Sequence, residues 1–200
     1  MTRRLNVFLV WLLCIFPGPA LAHTPIKGVN NFFNGVLHPV LVPAHLLLLI
    51  AAGLFFGQRL EEIHSAVKLS IAAVVLGLGA ASFSPGIPQL EVLILASAAI
   101  IGLLVAADLR IPLYWYPMIG VTAGFMLGLD STQDTLSGKE KFVALFGSGV
   151  GIYFFSIYPI GVAEYCSKKS WQRIGVRVIG SWIAASALLV LALSLSTVMK

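Results

Sequence analysis

The chemistry of this chain begins with two histidines. In "NGVLHPVLVPAHLLLLIAAGLFFG", which starts at Asn34, His38 and His45 stand seven residues apart in a run otherwise suited to hydrocarbon, with Pro39 and Pro43 beside them. Seven helical residues turn through about 700°, so one continuous helix puts both imidazoles on one face, roughly 10 Å apart along its axis. An imidazole at membrane depth is costly and ordinarily points into a bundle or a wet cavity. Each proline removes a backbone donor and leaves a carbonyl of the preceding turn unbonded. Such a fault is tolerated at that depth where protein packs it or a cavity lies beside it. Nitrogen from imidazole combined with oxygen from carboxylate suits nickel, cobalt, zinc or copper(II). The structural alternative is a hydrogen bond from His45 to a neighbouring helix, with His38 exposed at the interface.

Carboxylates come from two other apolar runs. Glu91 opens one and Asp130 closes another. An alternating topology brings both to the membrane face where His38 lies, with His45 below them. Ser97, almost two turns beyond Glu91, adds a supporting hydroxyl. His23 adds a further ligand if processing leaves it at the N-terminus, because its α-amine and imidazole form a nitrogen chelate favoured by copper(II) and nickel(II). The expected metal set is therefore His38, His45, Glu91, Asp130 and His23, supported by Ser97. By contrast, His64 in "LEEIHSAVK" reads as a solvated loop residue at the opposite face.

Enzymatic signatures are scarce. There is no H-E-x-x-H, G-x-S-x-G or P-loop, and "GSGVG" at 147–151 sits in an apolar run without a following Lys. The expectation is that the protein is not an enzyme. A hydrolase pairing Ser97 with His45 is the weakest alternative, since no third group is seen to orient the histidine.

The elements that position these residues follow from composition. Of 200 residues, 58% are hydrophobic and only 10% charged, with a mean hydropathy of +0.95. Soluble domains carry about 25% charged residues, so the class is polytopic membrane protein. "MTRR", "LNVFLVWLLCIF" and "PGPALA" have the order of a signal peptide with a small-x-small cleavage site. Residues 1–22 thus read as a cleaved signal peptide and 23–200 as one transmembrane domain. Cys14 falls in the signal, leaving Cys166 alone and no disulfide framework.

Six apolar runs approach the roughly 20 residues needed to span a bilayer: 36–57, 66–84, 88–107, 112–130, 141–162 and 174–197. The fold class is all-α, a six-helix transmembrane bundle. If the mature N-terminus is periplasmic, seven basic residues (Arg59, Lys68, Arg110, Lys168, Lys169, Arg173 and Arg177) face inside and four (Lys27, Lys139, Lys141 and Lys200) face outside. That bias follows the positive-inside rule for a bacterial inner-membrane protein, and it accounts for the net charge of +5. No basic patch with interleaved aromatics points to nucleic acid. Small residues recur every fourth position at Gly53/Gly57, Gly120/Gly124/Gly128 and Gly147/Gly151, where helix backbones are expected to approach closely. The expected partners are the lipid bilayer, a divalent metal ion, and a membrane-protein partner or second copy of the chain.

A signal that leaves His23, a first run with "GVLHPVLVPAHLLLLIAAGLFFGQ" and a third with "LEVLILASAAIIGLLV" together resemble the HupE/UreJ proteins. These are small bacterial membrane proteins associated with hydrogenase and urease maturation and regarded as nickel or cobalt permeases. The resemblance extends through the closing "RVIGSWIAASALLVLAL". The family's first motif, approximately H-P-x-x-G-x-D-H, falls on His38, Pro39 and His45, with Val42 for its Gly and Ala44 for its acid. The second, H-G-x-A-H-G-x-E, falls on "AGFMLGLD" at 123–130. Gly124 and Gly128 match, Asp130 stands for the Glu, and Ala123 and Leu127 replace the histidines. The resemblance implies an inner-membrane secondary permease for a divalent transition-metal cation (nickel or cobalt, otherwise copper or zinc), with no tightly bound cofactor. The three replaced ligands leave one alternative open: a non-transporting membrane subunit or assembly factor that keeps the fold.

Overall fold

Apolar runs in lipid must satisfy their backbone polar groups internally, and a single chain segment does this only as a helix. The computed structural model describes residues 26, 28–60, 63–133 and 135–198, and among them the elements are all helices. They are α1 (Asn31–Leu41), α2 (Pro43–Gly57), α3 (His64–Phe83), α4 (Pro88–Ala107), α5 (Trp115–Leu129), α6 (Gly138–Cys166) and α7 (Ser170–Val198). The signal-peptide reading and His23 lie outside the described residues.

Four of these helices, α3, α4, α6 and α7, are long and apolar enough to cross a membrane, and α1 with α2 passes the same test as a pair bent by 70°, a fifth span if the two count as one. The protein is a helical membrane protein. The expected fourth run is shorter than anticipated: α5 holds 15 residues, about 22 Å of helix, because residues 112–114 do not join it. The expected first run is not one helix but two. Val42 precedes Pro43, and the pyrrolidine ring excludes the α conformation from the residue before it. Val42 accordingly has φ −87° and ψ 111° and ends α1, while Pro43 opens α2 at a position where a missing N–H costs nothing.

Helix pairing gives each helix a direction. Gln58 Nε2 donates to the Val105 carbonyl at the far ends of α2 and α4, so these two run parallel. Gly53 and Gly57 sit against Pro159 and Ile160, making α6 parallel to α2 as well. Gly124 meets Ser70, Gly128 meets Val74, and Thr132 Oγ1 donates to the Ala81 carbonyl, so α3 and α5 are parallel. Lys141 Nζ donates to the Ser84 carbonyl, which joins the end of α3 to the start of α6 and makes them antiparallel. Gly102 beside Ala184 and Gly180 beside Val105 make α7 antiparallel to α4. The helices thus alternate in direction along the bundle, counting α1–α2 as one element.

The small-residue ridges mark these crossings. A Cβ on Gly124 would meet the Ser70 carbonyl, one on Gly128 the Val74 carbonyl, and one on Gly147 or Gly151 the carbonyls of Phe32 or Val36. The triple ridge of α5 therefore packs on α3. The centre of the bundle is α2, apolar on every side, with Leu48, Leu49, Leu54 and Phe55 almost wholly buried. Phe55 stacks on Tyr116 of α5 at 4.9 Å between ring centroids.

One end of the bundle is basic and is tied by a carboxylate. Asp108, in the left-handed region at φ 52°, caps α4 and accepts from Arg59 at 3.0 Å and from Arg173. Burial pushes its carboxyl up, but the hydrogen bond from Arg173 and the charges of Arg59 and Arg173 outweigh this and hold it below the ordinary carboxylate value. Its contribution to stability is thus present above the unfolded-state pKa and is lost as pH falls through the lowered folded value.

Two outcomes are expected from these contacts. Gly124→Leu should lower the thermal midpoint of the purified protein, since overpacking a close crossing costs about 1–3 kcal/mol; Gly79→Leu, with open space around Gly79, should leave it unchanged. Equal midpoints for the two variants would remove the α3–α5 ridge from the packing. Asp108→Asn should destabilise the protein near neutral pH, and the gap to the parent should close in strongly acidic buffer. A gap independent of pH would mean that the carboxylate charge is not what binds Arg59 and Arg173.

Candidate cation site at the broken helix

The break at Val42 builds the site. His38 occupies the last turn of α1 and His45 the first turn of α2, and both are buried. On a continuous helix they would be spaced along one face. Because the chain turns by 70° between them, the rings instead meet edge to face at 5.2 Å between centroids, with 85° between planes. The expected 10 Å stripe is replaced by a contact pair.

Asp130 completes the arrangement from another helix. It caps α5, and its Oδ2 lies 2.9 Å from His45 Nε2, with no exposure left to the His45 side chain. Where the carboxylate is ionised it only accepts, and Nε2 is then the donor. In the neutral ring Nδ1 then holds a lone pair, and this buried atom has no hydrogen-bond partner among the described residues. The hydrogen bond to a neighbouring helix, which the sequence left as the structural alternative for His45, is thus present. It also leaves Nδ1 without a hydrogen-bond partner among the described residues.

Asp130 was expected near an outer mouth, but it is 8% exposed and continues into the buried residues Ser131, Thr132 and Gln133. The Ser131 hydroxyl donates to the Leu127 carbonyl at 2.8 Å and Thr132 reaches Ala81, which folds this polar connector back over its own helices. Its only warning in the sequence was that polar residues follow α5 without a Lys, Arg or Pro.

The remaining expected residues do not join. Glu91 lies at the same end of the bundle, since α4 starts where its parallel neighbour α2 starts. It is half-buried in the first turn of α4, where the helix dipole favours a carboxylate, and forms no ion pair or hydrogen bond among the described residues. Ser97 lines a separate cavity of about 200 Å³ between α4 and α5 with Thr122 and Met126, and no hydrogen bond connects it to His45. His64 is exposed at the opposite end. Among the described residues, no group of three or more His, Cys, Asp or Glu side chains converges so as to hold a metal ion. His38, His45 and Asp130 form a row in which His45 is the middle member.

Comparison with protein families identifies the chain. The family model described as HupE / UreJ protein matches residues 11–190, and the chain belongs to this family of membrane proteins tied to nickel and cobalt accessory or transport roles. Comparison with curated proteins and with solved structures gives no match. In this member Ala44, Ala123 and Leu127 are all buried in the apolar core. Beside Ala123 and Leu127 lies an apolar cavity of about 100 Å³ walled by Leu49, Phe56, Val74 and Ile152.

The His45–Asp130 bond has a measurable signature. Asp130→Leu should cost about 1–3 kcal/mol by leaving a buried imidazole donor unmatched. The double variant His45→Leu/Asp130→Leu should recover much of that loss. Thermal unfolding of the two single variants and the double variant in one detergent closes the cycle, and additive losses would show that the pair is not coupled.

Proposed function

We propose that this HupE/UreJ member is a secondary permease that carries a divalent transition-metal cation, nickel or cobalt first among them, inward across the bacterial inner membrane. The observation that supports it is the buried Nδ1 of His45. Histidines that ligate metals characteristically donate their other ring N–H to a carboxylate, which fixes the tautomer and raises the basicity of the ligating nitrogen. In that reading His45 supplies one nitrogen ligand and His38 the second. Asp130 orients His45 from behind, rather than capturing the ion at a mouth. Water or a passing carboxylate fills the remaining positions of a cargo that must also leave. Glu91, and His23 where processing exposes it, would gather cations at the entrance. The protein acts without enzymatic chemistry and without a resident cofactor.

The helix pairs suggest how the site opens. The α3–α5 pair is tightly joined along its glycine ridge, yet cavities of about 100 and 200 Å³ separate it from α2, α4 and α6. His45–Asp130 bridges the two parts. A cation on Nδ1 makes the Nε2 proton more acidic and strengthens its bond to Asp130, so cargo favours the bridged state and its departure the separated one. No ATP site is recognisable, and the membrane potential supplies about 2.3 kcal/mol per charge per 100 mV.

A non-transporting subunit or assembly factor is the second reading. It is favoured by the apolar residues at Ala44, Ala123 and Leu127 and by the lack of a three-ligand group among the described residues.

Uptake of labelled nickel and cobalt by cells with and without the gene separates the two. Uptake should depend on the gene and be abolished by His38→Ala or His45→Ala. Asp130→Asn should weaken it by about 10–100-fold, and His64→Ala should leave it unchanged. Gene-independent uptake, together with stable co-purification with a larger complex, would replace the permease by the subunit.

A further inference from the structure

At the basic end of the bundle, opposite the histidines, a polar cavity of about 290 Å³ lies between the ends of α2 and α6, the loop after α4 and the start of α7. Its charged walls are Arg59, Arg110, Lys168 and Arg173, against the single carboxylate of Glu164. Asp108 neutralises part of this charge by pairing with Arg59 and Arg173. Arg110 and Lys168 have no ion pair among the described residues. Arg59 directs one guanidinium nitrogen to Asp108 and another to the Gln58 carbonyl, while its buried Nε has no hydrogen-bond partner among the described residues. Glu61 and Glu62 lie outside the described residues. Counting them from the sequence still leaves seven basic residues against four acidic at this end.

From these groups we infer that the cavity is a binding site for the phosphate of an anionic membrane phospholipid. Two cations without an ion pair among the described residues, and a buried guanidinium N–H without a hydrogen-bond partner there, match the charge and acceptor oxygens of a phosphodiester. The membrane is the source because of the surroundings: Tyr114, Trp115, Tyr165 and Trp171 are exposed at the same end of the bundle. Exposed Tyr and Trp at one level mark the headgroup region, so the cavity opens where lipid phosphates lie. Basic pockets between transmembrane helices bind anionic headgroups by the same chemistry. The helix ends present their last carbonyls here and also attract cations, but that accounts for charge near α2 and α6, not for a walled cavity with an unsatisfied donor.

The test uses the purified full-length protein in lipid nanodiscs and in detergent. Phosphatidylglycerol should remain bound in native mass spectrometry and raise the thermal midpoint, and phosphatidylethanolamine should do neither. The double variant Arg110→Gln/Lys168→Gln spares the Asp108 pairs and should lower phosphatidylglycerol retention on the order of tenfold or more, with an unchanged midpoint in phosphatidylethanolamine. Equal retention of the two lipids by the parent protein would overturn the site, and that comparison stands even if the variant does not fold. A variant that melts lower to the same extent in both lipids would reduce these cations to helix-end partners. The same stabilisation by inorganic phosphate in detergent alone would reassign the site to a soluble anion and overturn the lipid.

Discussion

The steric exclusion between Pro43 and the backbone of Val42 is the constraint on which the rest of the structure turns. A ring carbon and the preceding residue cannot share the space an α conformation requires. A span that would otherwise run straight therefore breaks between two histidines. The break pays for itself in packing: the His38 carbonyl still accepts from Val42, and Leu46 still bonds back to Val42, so little backbone is left without a partner. What changes is direction. The bend turns α1 along the first half of α6 while α2 follows the second half, and one long helix thereby supports both pieces.

That support makes α2 the axis of the molecule and gives His45 its surroundings. A histidine in the first turn of a central helix is dry on all sides, and its one charged contact comes from the end of α5. The polar row His38–His45–Asp130 thus joins the broken span to a helix whose tightest partner is α3. A single hydrogen bond thus joins a densely packed part of the bundle to a pair of helices that touches it across cavities.

Much of this was legible beforehand. Hydropathy and Lys/Arg placement gave helices and their alternation, because lipid permits little else, and the four-residue glycine spacing marked real crossings at Gly124, Gly128, Gly147 and Gly151. The row of polar residues was legible in part. His38, His45 and Asp130 could be named, since intramembrane polar groups are rare and costly. Their mutual geometry could not, because a helical-wheel estimate assumes a straight axis, and Val42–Pro43 removes that assumption. The same two residues held the clue, and the rule for a residue before proline would have found it. Glu91 illustrates the opposite case. Position at the correct end of a bundle is a weaker condition than convergence, and a carboxylate at a helix N-terminus is already stabilised where it stands. The pairing of Arg59 and Arg173 on Asp108 joins residues 49 and 65 positions apart, a relation that no local pattern encodes.

The order of helix pairing has a consequence for how the chain is made. α1 and α2 pair with α6, α3 with α5 and α4 with α7, so no helix finds its main partner in the segment that immediately follows it. A ribosome delivering spans one at a time cannot complete this bundle hairpin by hairpin. α1 and α2 must wait for α6, and the Gly102 face of α4 stays uncovered until α7 emerges. Contacts of such long sequence separation are slow to form. The pairing of α4 closes only once α7 has left the ribosome.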